Sequence, residues 1–224
     1  LQNSSRTKFY QKFLLKNQIW SSSNSTLEIG QSKKDFDQSP VLERIQMQLK
    51  KSGINTTHTK KPNLSWALTN IERLLKQHTN EEYILIFPFC SKKHKKKRWP
   101  YFKSLVNKIK QFYNNKYSIL VAPGPGEIEE AKILNAKVVL DNNKQVNLNT
   151  LITLIQKSKF IISNDTGPAH ICSHLNKDGL VLFGSHTSAE KVSIESQNFK
   201  AITSKKISEI KVEDVLNEIK KRLN

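Results

Sequence analysis

Apolar and polar positions are distributed differently on the two sides of residue 83. Downstream, short apolar runs recur: YILIFPF (83–89), YSILVAP (117–123), AKVVL (136–140), KFIIS (159–163) and GLVLFG (179–184). These runs are near-continuous rather than alternating, as in strands buried on both faces. Amphipathic segments separate them at 100–114, 127–135, 148–157, 167–175 and 208–223. Strands alternating with helices predict a parallel sheet with right-handed crossovers, an α/β Rossmann-like domain over 80–224.

Upstream the texture is helical. Phe9, Phe13 and Leu14 recur at helical spacing in KFYQKFLLKNQIW. Residues 21–39 are rich in Ser, Asn and Lys and read as a loop. PVLERIQMQLKKSGI (40–54) reads as a helix, with Pro40 suited to its first turn and Gly53 to its stop. NLSWALTNIERLLKQH (63–78) reads as another. Residues 1–79 thus look like the tail of a second domain of the same kind whose beginning is absent. The first residue, Leu1, and the solitary methionine, Met47, suggest a fragment or a processed product.

Composition adds bounds. A chain of 224 residues with 37% apolar content can build a core of ordinary size. No apolar run reaches the length of a membrane span, and no signal peptide is visible. Cys90 and Cys172 are far apart and make no disulfide framework or CxxC site, so a reducing, cytoplasmic compartment is the default. The net charge of +18 asks for an anionic partner: nucleic acid, a phosphate-bearing ligand or an anionic membrane surface. A solvated surface on a Lys-, Asn- and Ile-rich chain accounts for part of it.

Candidate chemistry follows the strands. In FIISNDTGPAHICSHL (160–175) an apolar run stops at Asn-Asp-Thr-Gly-Pro. Gly167 can be the N-cap of the next helix and Pro168 its first residue, leaving free N–H groups and the helix dipole as an anion site. Thr166 adds a hydroxyl, His170 a donor to phosphate, and Asp165 an acceptor for a sugar hydroxyl or an orienting group. A capped turn with a satisfied histidine explains the same residues. Zinc on His170 and His174 is disfavoured, because no HExxH glutamate and no third ligand are present. KKHKKKR (92–98) is wholly basic or histidine and follows the first strand. There Lys97 can neutralise a diphosphate and Ser91 can donate to it, while Trp99-Pro100 fixes the loop. After the next strand, PGPGEIEEA offers Glu127 to ribose hydroxyls. The pattern is not GxGxxG. Glu127, Glu129 and Glu130 are also ordinary acids at a helix start.

These segments together resemble glycosyltransferase family 9, the ADP-heptose lipopolysaccharide heptosyltransferases. ISNDTGPAHICSHL resembles the family's Asp-Ser/Thr-Gly-Pro-x-His segment, KKRWPYF its Lys/Arg-x-Trp-Pro segment, and PGPGEIEEAKIL its Gly-rich turn with a glutamate. LQNSSRTKFYQKFL resembles its N-terminal Asp-Leu-Gln-x-x-x-Arg segment, which makes Arg6 an acceptor-side candidate. The resemblance implies the glycosyltransferase B arrangement of two Rossmann-like domains, here a complete C-terminal nucleotide-sugar domain (80–224) and a remnant of the acceptor-side domain (1–79). It implies inverting transfer of a heptose or similar sugar from a nucleotide diphosphate sugar, ADP-heptose, to a phosphorylated lipid-linked glycan acceptor. It implies no cofactor and no metal, and peripheral contact with the inner face of an anionic membrane. Ser91, Lys97, Glu127, Asp165, Thr166, Gly167 and His170 then hold the nucleotide sugar. The family's general base lies in a segment with no counterpart here, so no catalytic base is assigned. The alternatives are a catalytically incomplete nucleotide-binding remnant and a basic nucleic-acid-binding domain. The second ranks lower, because no aromatics interleave the basic run.

Overall fold

The computed structural model describes residues 5–17, 20–21 and 26–223. Leu1 and Gln2 of the LQNSSRT resemblance lie outside them, as do residues 22–25 of the expected loop. The chain divides into two compact units. One is Leu1–Pro62 with Glu190–Ser193, the other Asn63–Ala189 with Ile194–Asn224.

The second unit contains a single parallel sheet. Its strands are β1 (Tyr83–Phe87), β2 (Ser118–Val121), β3 (Lys137–Val138), β4 (Phe160–Asn164), β5 (Gly179–Phe183) and β6 (Phe199–Thr203). They run in the order β3-β2-β1-β4-β5-β6. Every residue of β1, β2, β4 and β5 is buried, which is why these strands read as near-continuous apolar runs. Ile84, Ile86, Ile119, Val121, Phe160, Ile162, Leu180 and Leu182 belong to one core cluster. The helix Phe102–Phe112 buries Phe102, Leu105, Val106 and Ile109 in that cluster, one face at helical spacing. The helix Val212–Arg222 packs beside it through Val215, Leu216 and Ile219. Register leaves no room at Gly179, which pairs with Ile161 and Phe199. A Cβ there would sit 2.5 Å from the Ile161 carbonyl oxygen.

Two expectations about the elements are corrected. FKAIT forms β6 although no strand is expected there; it is an edge strand, half-exposed over its middle, so its apolar signal is weak. The single helix expected over 63–78 is a short 3-10 turn, Ser65–Ala67, then an extended link, then the helix Glu72–His78. Asn63 and Asn70 interrupt it by accepting from the backbone N–H of Ser65 and Glu72, at 2.8 and 2.9 Å. Thr69 N–H donates to Thr153 Oγ1 at 2.9 Å, a tertiary bond that holds the link extended.

In the first unit, helix Ser5–Phe9 continues as a π-turn, Tyr10–Leu14, with Phe9, Phe13 and Leu14 exposed. The expected loop contains a one-turn helix, Lys33–Phe36, capped by the Ser32 side chain and anchored by buried Phe36. Helix Val41–Lys51 has Pro40 as its N-cap, one place earlier than expected. Gly53 ends it with φ +72°, as Ile54 N–H bonds the Leu49 carbonyl at 3.0 Å.

Candidate functional site

The strand order reverses direction between β1 and β4, and crossovers leave from that point toward both edges. In such sheets the loops beyond the carboxyl ends diverge there and leave a crevice. A cavity of about 400 Å³ occupies this place, lined among others by Phe87, Ser91, Gly124, Glu127, Thr166 and Gly167. These residues come from the loops after β1, β2 and β4. Its lining joins apolar side chains such as Phe87 and Leu151 to the hydroxyls of Ser91 and Thr166 and the Glu127 carboxylate.

The loop after β1 is held by β4. Asn164 is fully buried; its side-chain amide donates to the Pro88 carbonyl at 2.7 Å and accepts from Trp99 N–H at 3.1 Å. Trp99 is itself buried, its indole N–H donating to the Ile210 carbonyl at 2.9 Å. These three bonds pin both ends of the basic segment, so Lys97, two residues before Trp99, has a fixed origin.

Lys97 Nζ lies 2.5 Å from Asp165 Oδ2. The Asp165 side chain is 3% exposed and also meets His186 Nε2 at 2.9 Å. His170 Nε2 is 3.9 Å from its other oxygen. Burial pushes the Asp165 carboxyl up, but hydrogen bonds from Lys97 and His186 and their charge outweigh it and hold the group below the ordinary carboxylate range. Burial pushes the His170 imidazole down, against the pull of Asp165. His186 stacks on Phe183, ring centroids 5.6 Å apart, which sets its plane. The result is a buried carboxylate ringed by one lysine and two imidazoles, next in the chain to the cavity residue Thr166.

Glu127 stands at the start of helix Ile128–Lys132 and lines the cavity. Its Oε2 accepts from Gly124 N–H at 2.8 Å, and burial pushes its carboxyl up against that bond. A Cβ at Gly124 would sit 3.1 Å from the same oxygen, so the carboxylate would have to shift by a few tenths of an ångström. The neighbouring acids are used elsewhere: Glu129 pairs with Lys132 and Glu130 with Arg98.

Thr166, not Gly167, is the N-cap of helix Gly167–His174, and its side chain caps no helix N–H. Instead Thr166 Oγ1 sits 3.4 Å from Ser163 Oγ. The extended backbone of Thr166 (φ −144°, ψ 169°) suits a cap, and Gly167 already has helical geometry.

The expected residues therefore fall into two groups. Ser91, Glu127, Thr166 and Gly167 line the cavity. Lys97, Asp165 and His170 form the charged cluster. Arg6 is exposed on its helix in the other compact unit. Two residues escaped the sequence reading. His186 follows the carboxyl end of β5 by three positions, the same kind of place as the other candidates, and that position was its only signal. Asn164 stands in the Asn-Asp-Thr-Gly-Pro segment but was given no role, because its bonds to Pro88 and Trp99 depend on how the loop after β1 packs.

No curated protein matches the chain in sequence. Among solved structures, the fold is similar to Escherichia coli heptosyltransferase WaaC with ADP, with TM-score 0.62 and 18% identity, covering 83% of this chain and 57% of that one. It is similar to E. coli ADP-heptose lps heptosyltransferase II, with TM-score 0.60 and 20% identity, covering 84% and 63%. It is also similar to a family 9 glycosyltransferase from Veillonella parvula, with TM-score 0.63 and 16% identity, covering 80% and 58%. The chain spans less than two thirds of each of these structures. The model of glycosyltransferase family 9 (heptosyltransferase) matches residues 18–219, nearly the whole chain including most of the helical region upstream of the sheet, and the chain belongs to that family.

Proposed function

We propose that the switch-point cavity holds the nucleoside diphosphate of a sugar donor, and that the chain supplies the donor side of a glycosyltransferase. The observation that carries this reading is the cavity itself. It lies at the carboxyl ends of β1, β2 and β4, between the N-terminus of helix Gly167–His174 and Glu127. Helix N–H groups and the Thr166 and Ser91 hydroxyls suit phosphate oxygens. The free Oε1 of Glu127 suits a ribose hydroxyl. Lys97 and His170 lie one residue beyond, at Asp165, where a departing diphosphate gains negative charge.

In this reading an acceptor hydroxyl oxygen forms a bond to the anomeric carbon from the face opposite the diphosphate. The carbon–oxygen bond to the diphosphate breaks, and the diphosphate leaves with the electron pair. The hydroxyl proton goes to a base that none of the described residues is assigned to provide. ADP-heptose is the proposed donor, supported by family membership and by the fold shared with a heptosyltransferase solved with ADP. A phosphorylated, lipid-linked glycan on the inner membrane face is the proposed acceptor. Residues 1–79 are proposed to derive from the acceptor-side domain, with Arg6 facing acceptor.

The test is a thermal-shift titration of the 224-residue chain with ADP, UDP and GDP, repeated on His170→Ala. A ligand at about 100 times its Kd stabilises by roughly 2.7 kcal/mol. A rise with ADP that shrinks in the variant is expected. No rise with any diphosphate would remove the donor reading and favour a remnant that no longer binds nucleotide.

A further inference from the structure

A second cavity, of about 580 Å³, opens at the same sheet edge, beyond β5 and β6. Lys95, Lys96 and Arg98 reach it from the loop after β1, and Lys205 and Lys206 from the segment after β6. Ser185, His186 and Ser208 complete its polar lining. Among the described residues no carboxylate lines it. Arg98 is paired with Glu130, but Lys95, Lys96, Lys205 and Lys206 make no ion pair among the described residues. The nearest acid in sequence, Glu209, accepts from Ser204 Oγ and Lys206 N–H at 2.9 and 3.2 Å, and the Lys206 charge helps to hold its carboxyl below the ordinary range.

Two segments more than a hundred residues apart thus bring four exposed lysines, none in an ion pair among the described residues, to the lining of one cavity. A solvated charged run needs no such convergence, and like charges held together repel. An anion offsets that repulsion, and a phosphate group matches the polar part of the lining, which is basic and hydroxyl side chains and a histidine beside Pro100 and Ile207. We propose that this second cavity binds a phosphomonoester or diphosphate group of a ligand other than the one seated at the switch point. His186 belongs to both places, since it lines the second cavity and its Nε2 donates to the Asp165 carboxylate. The proposal stands without the nucleotide reading. The phosphate is either free in solution or part of a lipid headgroup.

The test is calorimetric titration of the full chain with inorganic pyrophosphate, with and without saturating ADP. It compares Lys205→Ala/Lys206→Ala with Lys144→Ala/Lys157→Ala, which removes the same two charges from exposed positions outside the cavity. The first pair weakens pyrophosphate about tenfold, in the presence of ADP as in its absence. The second changes it by less than about twofold, the share owed to the overall field. Vesicles containing phosphatidic acid separate the sources. Vesicle retention that pyrophosphate competes away assigns a lipid headgroup, and pyrophosphate binding without retention assigns a soluble phosphate. Absence of pyrophosphate binding, equal weakening in both variants, or complete displacement by ADP would overturn the proposal. If ADP fails to bind, the donor reading fails alone, and the comparison of the two variants still decides this one.

Discussion

Replacing Lys97 with Met keeps the aliphatic stem and removes the charge opposite Asp165. The carboxylate is 3% exposed, so it is left with His186 at 2.9 Å and the more distant His170. Removing one partner of a fully buried pair costs roughly 3–5 kcal/mol. Here Lys97 is 24% exposed, so part of its interaction is screened, and His186 still bonds the carboxylate. The expected loss is therefore about 2 kcal/mol at neutral pH. For a chain of this size that is a fall of roughly 4–8 °C in Tm.

The pH dependence is the sharper signature. The folded-state pKa of Asp165 is held below its ordinary 3.8, so its contribution is complete above that value and is lost as pH falls through the folded value. A protonated Asp165 has no need of a cation. The cost of Lys97→Met should accordingly be full at pH 7 and shrink below about pH 4. Urea unfolding followed by circular dichroism reads the loss at each pH. A loss under about 0.5 kcal/mol, or one equally large at pH 7 and pH 3, would refute the reasoning from burial and pairing.

Gly179→Ala places a Cβ 2.5 Å from a backbone oxygen in the middle of the sheet and should cost about 3 kcal/mol or prevent folding, whereas Gly167→Ala meets nothing within 4 Å and should be neutral or slightly stabilising; urea midpoints of the two variants check both. Trp99→Phe leaves the buried Ile210 carbonyl without its donor, and a loss of about 1–3 kcal/mol is expected in guanidinium unfolding followed by circular dichroism. A stable Trp99→Phe protein would mean that the basic segment is not anchored there.

The sequence by itself determined the parallel α/β sheet, because strands buried on both faces must be largely apolar, and β1, β2, β4 and β5 are, with polar residues only at the ends of β2 and β4. It also determined the candidate loops, because ligand groups in such sheets follow the strands' carboxyl ends; Ser91, Glu127, Thr166 and Gly167 do line one cavity. It did not show β6, whose exposed edge carries too few apolar residues, or the break between Ala67 and Glu72, which needs Thr153 from another helix. The tertiary structure alone decided what each polar side chain faces. Lys97 could have been a free phosphate ligand, but packing sets it 2.5 Å from Asp165. His186 carried no motif, yet register brings it onto the same carboxylate. Lys205 and Lys206 join Lys95 and Lys96 only because β6 runs parallel beside β5 and ends at the same edge. Periodicity records which residues a chain must bury, and that is local. Which charges meet depends on strand order and crossover, which bring distant segments within a few ångströms.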